Sequence, residues 1–258
     1  MKICRVKYNE RVFFGRMNSE NIELFDSSVP FADICETTEI VESLEHSRVV
    51  FLPPVSPSKI VCVGRNYAEH AAELGNEIPK EPLLFLKAPS SLIKDGQTII
   101  IPEQSAQVEH EGELAVVIRR DCSKLKESDE VSDYIFGFTC LNDVTARDIQ
   151  RNDVQFTRAK SFDTFCPIGN FLETGADVSD VSVVTKVNGI VKQSGRTSQM
   201  VFGVKFLIRY ISNQMTLNSG DIIATGTPAG VSKLEPGDLV EVEIESVGNL
   251  KNPVSSQR

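Results

Sequence analysis

Acidic residues recur at every second position where one apolar segment begins. Glu109, Glu111 and Glu113 lead into the run LAVVI at residues 114–118. Residues two apart on a β-strand share a face, so the carboxylates of Glu111 and Glu113 would lie close enough to repel each other. A solvated strand face explains the pattern if the segment is considered alone. A metal site requires a further acidic group nearby.

A second apolar segment supplies such a group. The run FGFTCL at residues 136–141 ends at Asn142 and Asp143. Glu111, Glu113 and Asp143 together, with no cysteine among them, suit an oxygen-preferring cation such as Mg²⁺ or Mn²⁺ better than zinc. The competing interpretation of Asp143 is a turn or helix-capping residue. His110 lies on the opposite strand face from the glutamates and is interpreted as structural.

The elements that must position these carboxylates are mostly strands. Alternating and apolar runs predict strands at residues 3–8, 11–16, 22–25, 60–64, 83–87, 113–119, 135–141, 183–187, 221–224 and 239–244, with a further short segment at 40–44. A short helix is predicted at 67–74, and one long helix at 199–213, with Ser198 as its N-cap and an apolar face that includes Val201 and Phe206. Strands and helices do not alternate regularly, which disfavours a doubly wound sheet or a TIM barrel. The predicted class is β-rich α+β.

The segment LPPVSPSK at residues 52–59 predicts a domain boundary. Its three prolines favour extended chain over packed structure. We therefore expect a small N-terminal β-rich module at residues 1–56 and a catalytic domain at residues 57–258. A chain of 258 residues is long enough for this arrangement.

Composition narrows the functional classes. The net charge is −9 and the chain has no basic stripe, so nucleic acid is not an expected partner. An anionic substrate must therefore be bound by a metal ion or by a few placed Lys and Arg side chains. The chain has neither an apolar signal-peptide core nor an apolar run of 18 residues, which predicts a cytoplasmic protein without a membrane partner. Six cysteines without a C-x-x-C pair are expected to be reduced and mostly buried.

Five motifs, in this order, resemble the fumarylacetoacetate hydrolase family. They are KIVCVGRNYAEH (59–70), EHEGEL (109–114), NDVTARD (142–148), AKSFD (159–163) and GDIIATGTP (220–228). The resemblance extends over about residues 57–254 and is closest to the smaller bacterial and mitochondrial members. Nucleotide-binding motifs of the types GxxxxGK[ST] and GxGxxG are missing from the sequence, as is the GxSxG motif of lipases.

The resemblance implies a mixed β-roll or β-sandwich catalytic domain, usually dimeric, so a homodimer is expected. It implies that Mg²⁺ or Mn²⁺ is held by Glu111, Glu113 and Asp143. It also implies an acid/base dyad of His70 and Glu73, and positions three apart on a helix do share a face. Lys160 corresponds to a lysine near the substrate that stabilises enolate charge. The resemblance implies, less directly, substrate-contacting or supporting roles for four further residues: Arg65, Arg147, Gln150 and Thr227.

The expected substrate is a small 2-oxo or 1,3-dicarbonyl acid, which can chelate a metal through its carboxylate and keto oxygens. Hydrolysis of a C–C bond in an acylpyruvate, or decarboxylation of oxaloacetate, is the expected reaction, and both pass through an enolate. The alternatives are the isomerase and decarboxylase reactions of aromatic catabolism, on substrates such as 2-hydroxyhepta-2,4-diene-1,7-dioate and 5-oxopent-3-ene-1,2,5-tricarboxylate. A non-catalytic, metal-stabilised binding protein is a further alternative.

Overall fold

Strands form most of the regular structure in the computed structural model, which describes residues 1–36 and 39–257. The strands are β1 (Lys2–Tyr8), β2 (Arg11–Met17), β3 (Asn21–Phe25), β4 (Ile40–Glu45), β5 (Val50–Phe51), β6 (Ile60–Gly64), β7 (Leu83–Lys87), β8 (Leu92–Lys94), β9 (Ile99–Ile101), β10 (Val108–Glu109), β11 (Gly112–Ile118), β12 (Ile135–Asn142), β13 (Thr145–Ala146), β14 (Cys166–Ile168), β15 (Phe171–Glu173), β16 (Ser182–Val187), β17 (Ile190–Arg196), β18 (Ile222–Ala224), β19 (Leu239–Ile244) and β20 (Gly248–Ser256). The helices are α1 (Ala68–Glu73), α2 (Arg147–Asn152), α3 (Thr157–Lys160) and α4 (Val204–Gln214).

Two large sheets build the fold, as the β-rich α+β prediction requires. The larger sheet has thirteen strands, and its main path runs β4-β3-β2-β1-β15-β12-β11-β18-β6-β7. The smaller sheet runs β17-β16-β19-β20-β9. Most neighbouring strands are antiparallel, but β18 pairs with β6 in parallel. The prediction of a mixed, sandwich-like architecture is confirmed.

The central strand β11 is buried on both faces, because each face meets a separate core. Leu114, Val116 and Ile118 pack with residues of β16, β19 and α4 in the core between the two sheets. Ala115 and Val117 point to the opposite core, which includes residues of β6 and β18. Glu113 lies two residues before Ala115 on the same strand, so its side chain points to the same face of the sheet as Ala115 and Val117.

The N-terminal strands continue the large sheet. Strand β1 pairs with β15 in antiparallel register, with Ile3 opposite Leu172. Side chains from the first 36 residues, including Phe25 and Ile34, pack in the second core together with Ile60. The boundary at residue 56 stays a prediction. All six cysteines are free and all but Cys35 are buried, in agreement with the expectation. Among the described residues, no helix is long and apolar enough to cross a membrane.

The prediction for the long helix was wrong at its start. Helix α4 begins at Val204 with Gly203 as its N-cap, whereas Ser198 lies in a short 3₁₀ turn at Thr197–Gln199. Asn66 explains the difference, because its backbone oxygen accepts from the Val201 N–H at 2.8 Å and its side-chain oxygen accepts from the Phe202 N–H at 2.8 Å. These bonds take backbone donors away from a helix.

The apolar face of that helix was also assigned in part incorrectly. Leu207 and Ile211 are buried as expected, but Phe206 is 50% exposed and Val201 is 38% exposed. The Phe206 ring stacks on that of Tyr210 with centroids 6.0 Å apart. Phe206 therefore belongs to an outer aromatic row and not to the core.

Candidate metal centre and active site

Three carboxylates meet where β11 and β12 lie side by side. Ligand atoms of Glu111, Glu113 and Asp143 all lie within 4.8 Å of one another, and the three residues are buried. The antiparallel register places Glu113 opposite Leu141 and Gly112 opposite Asn142. The start of one strand therefore faces the end of its neighbour, which brings Asp143 to the two glutamates despite their distance in sequence.

The backbone around the triad is fixed by hydrogen bonds. Asn142 accepts from the Glu111 N–H through its side-chain oxygen at 2.9 Å, and the Asp143 N–H donates to the Glu111 carbonyl oxygen at 2.8 Å. The Gly226 N–H donates to Glu113 Oε2 at 2.7 Å. Gly226 has a positive φ of 100°, and a Cβ there would lie 2.7 Å from the Asn66 Cβ. The TGTP segment thus holds a triad carboxylate, a role that the sequence did not reveal.

Buried cations surround the triad. Lys160 Nζ donates to Glu111 Oε2 at 2.8 Å and to Asp143 Oδ2 at 2.7 Å. Arg147 forms an ion pair with Glu111 through Nη2, and its Nε donates to Glu109 Oε2 at 2.7 Å. Two buried carboxylates accept from its guanidinium, so Arg147 is placed to orient Glu111, and its role toward a substrate stays a prediction.

Two residues of this cluster were not singled out by the sequence analysis as site residues. Lys87, at the end of β7, donates to Asp143 Oδ1 at 2.6 Å. Glu109 is buried and accepts from Arg147 and from Gln107 Nε2. The sequence offered one indication for each residue. Lys87 is the last residue of an apolar strand, and Glu109 precedes Glu111 by two positions, so the two glutamates would share a strand face.

The charges of the triad interact strongly. Burial raises the pKa of Glu113, and the neighbouring Asp143 and Glu111 carboxylates raise it further, well above its usual range. Burial also acts to raise the pKa of Glu111, but the charges of Lys160, Arg147 and His70 outweigh it, and the pKa is lowered. Burial would lower the pKa of Lys160, but Asp143 and Glu111 outweigh that effect and raise it.

The donor set fits a hard divalent cation. In octahedral Mg²⁺ coordination, with oxygens about 2.1 Å from the ion, ligand oxygens lie roughly 3 to 4 Å apart, and the spread of the triad accommodates this. Burial raises the pKa of Glu113 most, the Asp143 and Glu111 charges raise it further, and a dication would offset the repulsion among these carboxylates. Glu111, Glu113 and Asp143 would hold the ion, and its identity as Mg²⁺ or Mn²⁺ is part of the proposal below.

All ten residues predicted for the site line one cavity of about 500 Å³. Besides the triad, these are His70, Glu73, Lys160, Arg65, Arg147, Gln150 and Thr227. Two of the residues predicted less firmly form hydrogen bonds within the protein. Gln150 accepts from Arg147 Nη1, and the Thr227 hydroxyl donates to the Gly112 carbonyl oxygen at 2.8 Å. Their roles toward a substrate stay predictions. His110 lies outside the cavity lining and bonds to Gln193 and Ser232, as a structural histidine does.

The predicted dyad lies on α1. His70 is buried, and its Nδ1 lies 3.3 Å from Glu73 Oε2. Both oxygens of Glu73 also accept from the Gly230 N–H at 3.1 Å. One carboxylate therefore orients the imidazole and ties α1 to the loop around Gly230.

We expect Gly230→Ala to loosen this tie. Gly230 has a positive φ of 104°, and a Cβ there would lie 2.0 Å from the Lys192 carbonyl oxygen, so the loop must move away and the bond to Glu73 is lost. Amide hydrogen exchange at residues 68–73 should accelerate and turnover should fall about tenfold, since misplaced catalytic groups lose rate steeply, while metal affinity stays unchanged. Gly237→Ala is the matched control, because its φ is 96° and no atom lies within 4 Å of its Cβ position. Equal effects of both substitutions would show that the hydrogen bond between Gly230 and Glu73 does not hold α1 in place.

The sequence matches a known family model over most of its length. Residues 59–255 match the model "Fumarylacetoacetate (FAA) hydrolase C-terminal", and residues 1–54 match "Rv2993c-like, N-terminal". Protein Rv2993c of Mycobacterium tuberculosis is 47% identical over 98% of both chains. Oxaloacetate tautomerase YisK of Bacillus subtilis is 41% identical over 78% of this chain and 71% of its own.

A solved structure shares the whole fold. The 2-hydroxyhepta-2,4-diene-1,7-dioate isomerase from Mycobacterium marinum superimposes with a TM-score of 0.89 at 38% identity, covering 100% of this chain and 99% of the other. The fold is that of a class of enzymes whose members depend on a divalent metal, and this chain contains a buried triad of acidic residues that could hold one. The chain belongs to the fumarylacetoacetate hydrolase family.

Proposed function

We propose that this protein catalyses metal-dependent proton transfer on a 2-oxo acid, with keto–enol interconversion of oxaloacetate as its reaction. The buried triad of Glu111, Glu113 and Asp143, open to a cavity that also contains His70 and Lys160, is the observation that carries the proposal. The similarity to YisK, an oxaloacetate tautomerase, supports this choice of substrate. The earlier expectation of acylpyruvate hydrolysis or decarboxylation becomes the second candidate.

The charge of the site favours an acidic substrate. With a dication bound, the three triad carboxylates would all be ionised and would carry three negative charges, of which the ammonium groups of Lys87 and Lys160 offset two, while the Arg147–Glu109 pair is neutral. The two charges of the dication would then leave this cluster with one positive charge, which the carboxylate of a 2-oxo acid would neutralise. Mg²⁺ or Mn²⁺, when bound, would supply the Lewis acid that polarises the substrate oxygens.

The protein's own groups would then move the proton. The imidazole of His70, oriented by Glu73, removes a proton from C3 of the keto form, and the electron pair of that C–H bond becomes the C2–C3 double bond of the enolate. The Lys160 ammonium lies at the triad and lines the cavity, where it stabilises the negative charge that develops on the C2 oxygen. Transfer of the proton held by His70 to that oxygen completes the enol and restores the neutral imidazole.

Hydrolysis of an acylpyruvate is the second candidate because the same dyad could activate water. Glu73 holds His70 at the cavity wall, and a base in this position could remove a proton from a water molecule as readily as from C3. The cavity volume of about 500 Å³ also accommodates a substrate larger than oxaloacetate.

Arg151 is expected to recognise the distal carboxylate of a dicarboxylic substrate. It lines the cavity and donates to Gln107 Oε1 at 3.1 Å, and among the described residues it takes part in no ion pair. Arg151→Gln should raise the KM for oxaloacetate roughly fivefold, about 1 kcal/mol for a solvent-exposed charge contact, with kcat and the KM for acetylpyruvate unchanged. Steady-state kinetics tests this.

The control for Arg151→Gln is Arg158→Gln, which removes an exposed arginine on α3 that pairs with Asp153 outside the cavity lining. If Arg151→Gln leaves the KM for oxaloacetate unchanged, or if the KM rises equally in both variants, Arg151 does not bind the distal carboxylate.

Product analysis with Mn²⁺-loaded protein tests the proposed reaction. Freshly dissolved enol oxaloacetate should lose its ultraviolet absorbance faster than in buffer without releasing pyruvate. Pyruvate release from acetylpyruvate or fumarylpyruvate would favour hydrolysis, and pyruvate from oxaloacetate alone would favour decarboxylation. A change only in an unsaturated 2-hydroxy dioic acid would favour the isomerase reaction. No reaction with any of these compounds would contradict an enzymatic function on 2-oxo acids.

A further inference from the structure

We propose that Lys87 is a positioning residue of the metal centre, which holds Asp143 from behind in the orientation that binds the dication. The inference rests on the metal centre of the proposed function. Lys87 Nζ donates to Asp143 Oδ1 at 2.6 Å and to the Val144 carbonyl oxygen at 3.1 Å, and its side chain is fully buried.

The two lysines at Asp143 have different access to the cavity. Lys160 lines the cavity wall, whereas Lys87 is not among the described residues that line it. Side chains alternate along β7, so Leu83, Phe85 and Lys87 share a face. Leu83 and Phe85 line the cavity. Lys87 lies two residues further along β7, on the side of the triad away from the cavity. A substrate can therefore meet Lys160 but reaches Lys87 only through Asp143.

Each carboxylate oxygen of Asp143 has its own ammonium partner. Oδ1 accepts from Lys87, and Oδ2 accepts from Lys160 at 2.7 Å. Lys160 is shared with Glu111, and a substrate that draws its ammonium group away would weaken the bond to Oδ2. The bond from Lys87 would persist, because this lysine is anchored to Asp143 and to backbone on one side of the triad. Asp143 would thus keep its rotamer while Lys160 turns toward the substrate.

A buried ammonium group is costly unless it is paired, so its position calls for a specific partner. Loss of groups that orient metal ligands typically weakens metal affinity 10- to 100-fold. A lysine that only stabilised the fold would instead lower the melting temperature and leave the affinity of the folded protein for metal intact. Mere repulsion between Lys87 and a dication would make metal binding tighter when the lysine is removed.

The test is calorimetric titration of metal-stripped protein with Mn²⁺, for wild type, Lys87→Met and Lys87→Gln. We expect the Kd for Mn²⁺ to rise about 10- to 100-fold in Lys87→Met and by less in Lys87→Gln, which can still donate a hydrogen bond. Saturating Mn²⁺ should restore turnover of oxaloacetate with an unchanged KM. If Lys87→Met does not fold, Lys87→Gln decides, with an expected rise of at least about fivefold.

Lys59→Met is the matched control, because Lys59 pairs with the fully buried Asp221 outside the cavity lining. Its Kd for Mn²⁺ should stay within about twofold of wild type despite the loss of an ion pair to a buried aspartate, because the side chains of Lys59 and Asp221 share no bonding partner with the triad or with Lys87. Tighter or equal binding in the folded Lys87 variants would overturn the inference while leaving the metal centre intact. Failure of wild type to bind Mn²⁺ would overturn the inference and the metal centre together.

Discussion

Glu113→Gln and Asp143→Asn are expected to abolish metal binding alike but to shift the stability of the metal-free protein in opposite directions. Metal affinity and turnover should fall at least about 100-fold in both, because each loses a ligand of the triad. In Glu113→Gln, the new amide oxygen still accepts from the Gly226 N–H, and the carboxylate that Asp143 and Glu111 repel is gone. The Asp143→Asn substitution leaves the buried Lys87 without its anionic partner and Lys160 with Glu111 alone, and breaking a buried ion pair costs about 3–5 kcal/mol.

The raised pKa of Glu113 gives this prediction a pH dependence. An acid whose pKa is higher in the folded state than in the unfolded chain destabilises the folded protein as pH rises from the unfolded value toward the folded one. Without metal, the free energy of unfolding of the wild-type protein should therefore fall as pH rises above 4.5, and Glu113→Gln should not show this fall. Thermal unfolding without metal, at a series of pH values, measures both effects.

Asp221→Asn controls for the loss of a buried aspartate. Asp221 is fully buried and pairs with Lys59, but it does not line the cavity. This variant should be destabilised while its folded form keeps wild-type metal affinity. Full activity in Glu113→Gln and Asp143→Asn would rule out the triad as the metal site.

His70→Ala is expected to separate the proton-transfer reactions from decarboxylation. Removing a general base typically slows a reaction by about 10²- to 10⁴-fold, so tautomerisation of oxaloacetate and any hydrolysis of acylpyruvates should fall by that factor. Decarboxylation should fall much less, because it requires neither an attacking water nor removal of the C3 proton. Stopped-flow absorbance and pyruvate release measure these rates, with Mn²⁺ affinity recorded in parallel.

His46→Ala is the matched control, since His46 lies in the N-terminal strand region outside the cavity lining. It should leave all the rates unchanged. Equal losses of tautomerisation and decarboxylation in His70→Ala, or no loss in either, would contradict the role of His70 as a base.

The sequence was sufficient to predict eleven of the twenty strands in the described residues and ten of the eighteen residues that line the cavity. Continuous apolar runs located β11 and β12 to within one residue, because both strands are buried on two faces. The motifs brought Glu111, Glu113 and Asp143 into one hypothesis, and the antiparallel register explains why they meet.

The remaining features depend on contacts between distant segments. Lys87 reaches Asp143 across 56 positions, and a strand ending in lysine does not reveal which carboxylate it faces. Arg147 was predicted as a substrate-contacting or supporting residue, but the sequence did not identify Glu109 and Glu111 as its ion-pair partners. The start of α4 was misplaced because Asn66, 136 positions from Phe202, binds the preceding backbone. Local periodicity carries no information about such partners.

The most direct test of the account is the metal dependence of oxaloacetate tautomerisation. Protein stripped with EDTA, and verified as metal-free by elemental analysis, should be inactive toward enol oxaloacetate. Titration with Mn²⁺ should restore activity in proportion to bound metal, up to one ion per chain, and Mg²⁺ should be tested in parallel. Full activity in verified metal-free protein would contradict the central claim that Glu111, Glu113 and Asp143 form a catalytic metal centre.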